Sequence, residues 1–137
     1  MAVLARGSRH ALQEALAACP ALPAWQRLRG PETGLIMLRG RAGGDGAPFN
    51  LMETTATRCT VAMDGGTMGH ATILGRDGAH AELAAAIDAA LQIATLRVDL
   101  LREVVEPLAA IQSQARQDTA RSAAATRVQF FTLAAMR

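Results

Sequence analysis

A chain of 137 residues, half of them hydrophobic and 19% charged, has the size and composition of one folded domain and excludes intrinsic disorder. The formal net charge of +2 is too small to announce a nucleic-acid-binding protein, and no apolar run free of charge reaches the length of a membrane span. Two cysteines, Cys19 and Cys59, without CxxC spacing argue against a disulfide scaffold and a cysteine zinc site, and the apolar run at the start is too short for a signal peptide, so a reducing cytoplasm is the expected compartment.

In chain order, Ser8 is placed to cap a helix over "RHALQEALAACP", which Pro20 ends. "LPAWQRLRG" reads as a short second helix closed by Gly30. "TGLIMLRGR" reads as a buried strand, because 35–38 is an unbroken apolar run. Glycines and Pro48 then break the chain, and the threonine-rich "NLMETTATRCTVAMD" follows as a second strand. "DGG" at 64–66 is a hairpin signal, with "TMGHATILG" as the returning strand.

From Asp77, a helix cap, the period becomes helical, with Leu83, Ile87, Ala90, Leu91, Ala94 and Val98 on one stripe. Pro107 opens or kinks the next helical segment. Residues 112–127 carry no strong apolar stripe and lead into a cluster holding Val128, Phe130 and Phe131. Such a helix docks on something, either its own sheet or another subunit, with Phe130 and Phe131 as interface or inter-helix anchors. The expected fold is α+β over a single domain, 1–137: a small, mostly antiparallel three-stranded sheet packed with N-terminal helices and a long C-terminal helix.

The chemistry-bearing residues concentrate in "GRAGGDGAPFNLMETTATRC". A phosphate-binding P-loop requires a lysine and a helix after the glycines, and this chain has no lysine and continues into a strand. Arg39 and Arg41 lie two apart on one strand face and could join Arg58 around an anion, using the bidentate geometry of guanidinium. Glu53 and Arg58 are an odd number of residues apart, so alternation sends them to opposite faces and each requires its own partner.

His10, His70 and His80 have no metal-ligand spacing; His70 and His80 could approach each other across the Gly75–Arg76 turn. No nucleophile motif is present, and the strands lack the aromatics on which RNA-binding sheets stack bases. These residues leave two readings open: an interface-forming subunit, or a small stand-alone enzyme acting on a nucleotide or phosphate ester through Arg41, Glu53, Arg58 and His70.

Three ordered motifs narrow the choice: R-x-P-E-x-G-L at Arg29 to Leu35, G-R-x-G-G-x-G-x-x-F-N at Gly40 to Asn50, and E-x-T-x-T-R at Glu53 to Arg58. With the ending "TRVQFFTLAAMR", they closely resemble the PhnG family, the G subunit of the bacterial carbon–phosphorus lyase system, from about Leu28 onward. The family usually has glycine where this chain has Met52, and its N-terminal region is commonly a longer helix.

The resemblance implies a core assembly with H, I and J subunits and an accessory, ATPase-like L subunit. That assembly replaces the adenine of ATP by an alkylphosphonate, giving an alkylphosphonate ribose triphosphate. It implies that this chain is a structural subunit of alpha-D-ribose 1-methylphosphonate 5-triphosphate synthase and binds no cofactor alone. The nucleosidase chemistry is then assigned chiefly to the I subunit. The iron–sulfur cluster and S-adenosylmethionine belong to the J subunit, and two cysteines cannot supply a cluster's usual thiolates. Nucleic acid and membrane are not expected partners.

Overall fold

In a computed structural model, which describes residues 1–42 and 45–128, the chain folds as α+β. Its elements are α1 (Ala2–Arg6), α2 (Arg9–Leu16), β1 (Trp25–Arg41), β2 (Pro48–Met63), β3 (Met68–Leu74), α3 (Gly78–Ala90), α4 (Ala94–Leu100) and α5 (Glu106–Ala125). A π-helical turn, Leu101–Val105, joins α4 to α5. The strands form one antiparallel sheet in the order β1-β2-β3.

The caps lie where the sequence places them. The Ser8 side chain accepts from the Ala11 N–H at 3.1 Å, and Asp77 accepts from His80 N–H at 2.9 Å. The "DGG" turn closes with the Met63 N–H donating to Thr67 O, and Gly65 and Gly66 both adopt positive φ. Pro107 follows the π turn. Proline lacks an N–H and its ring crowds the carbonyl four residues back, so the widened turn accommodates the mismatch within a continuing helix.

The helix α3 lies in the middle of the molecule, between the sheet and the other helices. Ala81, Ala84, Ala85, Ala86, Ile87, Ala89 and Ala90 are all buried, so this helix is enclosed all round. Alanine and glycine make the close approach possible. A Cβ at Gly69 of β3 would overlap the Ala85 carbonyl oxygen, and one at Gly78 would fall 2.9 Å from Pro31 Cβ. On the sheet, Thr57, Cys59, Val61, Met63, Ala71 and Ile73 meet α3; Leu4, Leu12, Leu100 and Val104 pack the other side. The buried His80 donates from Nε2 to the Leu4 carbonyl at 3.0 Å, and Gln112 donates to the Val3 carbonyl at 2.9 Å, which together hold α1 in place.

Two expectations are corrected. "LPAWQRLRG" is not a helix: from Trp25 it belongs to β1 and pairs Trp25 with Met63, Gln26 with Ala62 and Arg27 with Val61. The proof of its two-residue period lies in the side chains. Trp25 Nε1 donates to Glu82 at 3.2 Å and Arg27 contacts the same carboxylate at 2.7 Å, one strand step apart on one face. Pairing with the buried half of β2 overrides the local helical spacing of Leu22, Trp25 and Leu28.

The run at 35–38 is a strand, but it is not core: Leu35, Ile36 and Met37 are exposed. The third strand pairs only with 56–62 of β2, so 35–41 and 48–55 continue as a two-stranded arm beyond the packed body. The C-terminal part of α5 is exposed, from Gln114 to Ala125. Phe130 and Phe131 lie outside the described residues.

Candidate functional site

One face of the sheet is covered by α3 and the other is open. On the open face the register sets Arg58 opposite Glu32, and Arg29 reaches the same carboxylate. Arg29 Nε donates to Glu32 Oε2 at 2.9 Å and Arg58 Nη2 lies 3.3 Å from it. The Arg29 hydrogen bond, with help from Arg58, holds the Glu32 carboxyl below its ordinary pKa, against a partial desolvation that opposes it. Two guanidinium groups thus share one carboxylate beside a depression of about 290 Å³, lined in part by Gly34, Ile36, Ala56 and Thr72.

Two bulges in β1 build this cluster: each inserts one extra β1 residue against β2, between Arg27 and Arg29 and between Arg29 and Glu32. Behind it, the buried Thr57 donates to Gly75 O at 2.7 Å and its oxygen accepts from the Thr33 hydroxyl at 2.9 Å. Gly75 has φ of 94° and makes the turn from β3 towards α3. The residues of the R-x-P-E-x-G and T-x-T-R motifs are therefore neighbours in space: Arg29 and Glu32 with Arg58, and Pro31 against the start of α3. Arg29 and Glu32 were absent from the candidates that sequence reasoning put forward. The signal that finds them is the strand register, which the bulges displace.

The other candidates do not converge. A third bulge, opposite the step from Leu38 to Arg39, inserts Leu51 into β2. By alternation along β1, Arg39 and Arg41 face the side opposite to Glu32 and Arg58, and Arg39 is seven positions from Glu32, about 23 Å at about 3.3 Å per residue. Arg41 closes its own loop, donating from Nη1 to Gly46 O at 3.0 Å, while the Gly46 N–H donates to Ala42 O at 3.1 Å. Glu53 is opposite Met37 and exposed, on the face away from Arg58, as its odd spacing requires.

His70 and His80 do not meet. His70 is on the open face, with Nδ1 3.1 Å from the Thr60 hydroxyl, whereas His80 is buried on the covered side. Both thiols are raised above the ordinary cysteine pKa, chiefly by burial, and Cys59 donates to Arg29 O at 3.4 Å. Among the described residues no three His, Cys, Asp or Glu side chains gather as metal ligands, and no helix is long and apolar enough to cross a membrane.

The arm presents Ile36, Leu38, Phe49, Leu51 and Met52 on one side, contiguous with the Arg29–Glu32–Arg58 cluster at its root. Comparison with known proteins assigns the scaffold. A family model described as phosphonate metabolism protein PhnG matches residues 1–135. A Rhizobium meliloti (strain 1021) protein, named alpha-D-ribose 1-methylphosphonate 5-triphosphate synthase subunit PhnG, is 45% identical over 135 residues, 97% of this chain and 85% of that protein. The match takes in the N-terminal helices as well as the segment that carries the motifs. The chain belongs to the PhnG family of phosphonate metabolism proteins.

Proposed function

We propose that the chain is an interface-forming subunit of the carbon–phosphorus lyase core complex used to obtain phosphorus from phosphonates. In that role it supports ATP-dependent formation of an alkylphosphonate ribose triphosphate with release of adenine. Its partners are the H, I and J subunits, with L as accessory, in the cytoplasm. ATP, the iron–sulfur cluster and S-adenosylmethionine are handled by the complex and its other subunits. The observation that carries the reading is the 45% identity, over nearly the whole chain, to a protein named as a subunit of the synthase.

The geometry favours this over a stand-alone enzyme. Arg41 is engaged with its loop, Glu53 and Arg58 face opposite ways, and His70 is bonded to Thr60 on the open face. No acid–base pair or nucleophile–base pair forms from that set. A reconstituted mixture of the H, I, J and L subunits supplied with ATP and methylphosphonate should release adenine only when this chain is included. Equal adenine release without it, or release by this chain alone, contradicts the proposal.

A further inference from the structure

The arm is the part of the sheet that the protein's own core does not use. Its two faces differ. The inserted Leu51 puts Phe49, Leu51 and Met52 on the side of Ile36 and Leu38: Leu38 is directly opposite Met52, and a Cβ at Gly40 would touch both Phe49 and Leu51. Leu51 and Met52 are 58% and 55% exposed. The reverse side mixes Leu35 and Met37 with Arg39, Arg41 and Glu53, a composition that solvent accepts.

A contiguous exposed apolar stripe of this kind marks a protein contact. The outer edge of β1 and the 48–55 edge of β2 also have no strand partner among the described residues. At the root, Arg29 and Arg58 have only Glu32 between them, so the notch keeps one uncompensated positive charge among the described residues. A second copy of this chain presents the same positive notch and no carboxylate along its own stripe. It does not complement the surface.

Resting on the subunit role proposed above, we infer that the outer face of the arm docks into an apolar groove of another subunit of the complex, and that this subunit sets an Asp or Glu carboxylate in the notch against Arg29 and Arg58. The apolar stripe supplies the buried area. The guanidinium pair fixes the register by bidentate pairing, a geometry that lysine does not reproduce.

The test is co-expression of the tagged full-length chain with the H, I and J subunits, read by subunit recovery on purification and by the thermal melt of each free variant. Leu51→Asp, at a position already exposed, should keep the unsubstituted melt and lose at least tenfold in recovered partners. Arg58→Glu should lose assembly similarly, whereas Leu35→Ser on the reverse face should retain it. A folded Leu51→Asp or Arg58→Glu variant that assembles normally overturns the inference. Equal loss from both faces overturns it as well, because the contact is then not specific to the stripe. So does a free chain that dimerises through Leu51, or one that binds inorganic triphosphate through Arg58. Should the unsubstituted chain recover no partner, the subunit role itself fails and this inference falls with it; assembly by the unsubstituted chain leaves that role intact and puts only the arm to the test.

Discussion

Glu82 receives two donors from one strand, the Trp25 indole N–H and the Arg27 guanidinium, and so ties the start of β1 to α3. The Arg27 bond is the main reason its carboxyl is held below the ordinary glutamate pKa; desolvation works against it and Trp25 adds to it. A depressed folded-state pKa contributes stability that is complete above the unfolded value of about 4.3 and is lost as pH falls through the folded value. Denaturation midpoints should therefore drop on acidification below about pH 4.3, and Glu82→Gln should flatten that dependence. Gly69 makes a second residue-scale prediction. Its missing Cβ is the space that the Ala85 carbonyl occupies, so Gly69→Ala should cost about 3 kcal/mol in urea unfolding.

Among the elements, the helices with capping residues were legible because the caps act locally: Ser8 and Asp77 bond where their sequence positions say they should. The hairpin at 64–66 was legible for the same reason. The start of β1 was not, since Leu22, Trp25 and Leu28 repeat at helical spacing and only pairing with the distant 61–63 makes 25–27 a strand. The exposure of 35–37 was equally hidden, because an apolar run says that something covers it and not what. The opposed faces of Glu53 and Arg58 follow from counting, but the meeting of Arg58 with Glu32 requires a register that bulges shift.

These bounds give the arm a test of its own. Replacing residues 38–52 by an Asn-Gly turn between the paired Met37 and Glu53 removes none of the described residues of the buried core. The shortened chain should keep its helical circular dichroism and its unfolding free energy within about 1 kcal/mol. A collapse of the melt would mean that the arm supports the body.

For the whole molecule, the described residues present surfaces rather than a gathered set of ligating or titrating side chains. The open sheet face, the arm and the exposed length of α5 are positioned by a core built around one alanine-rich helix. The family relationship was legible because its motifs are short and ordered; their meeting in space was not, because Arg29, Glu32 and Arg58 are joined only by folding. The central claim is that this chain is completed by a partner at its arm. Hydrogen–deuterium exchange of the full chain, free and in the assembled complex, tests that most directly. Amides at 35–41 and 48–55 on the unpaired edges should exchange fast in the free chain and become protected by at least tenfold on assembly. Protection that appears elsewhere while the arm exchanges unchanged would contradict the account.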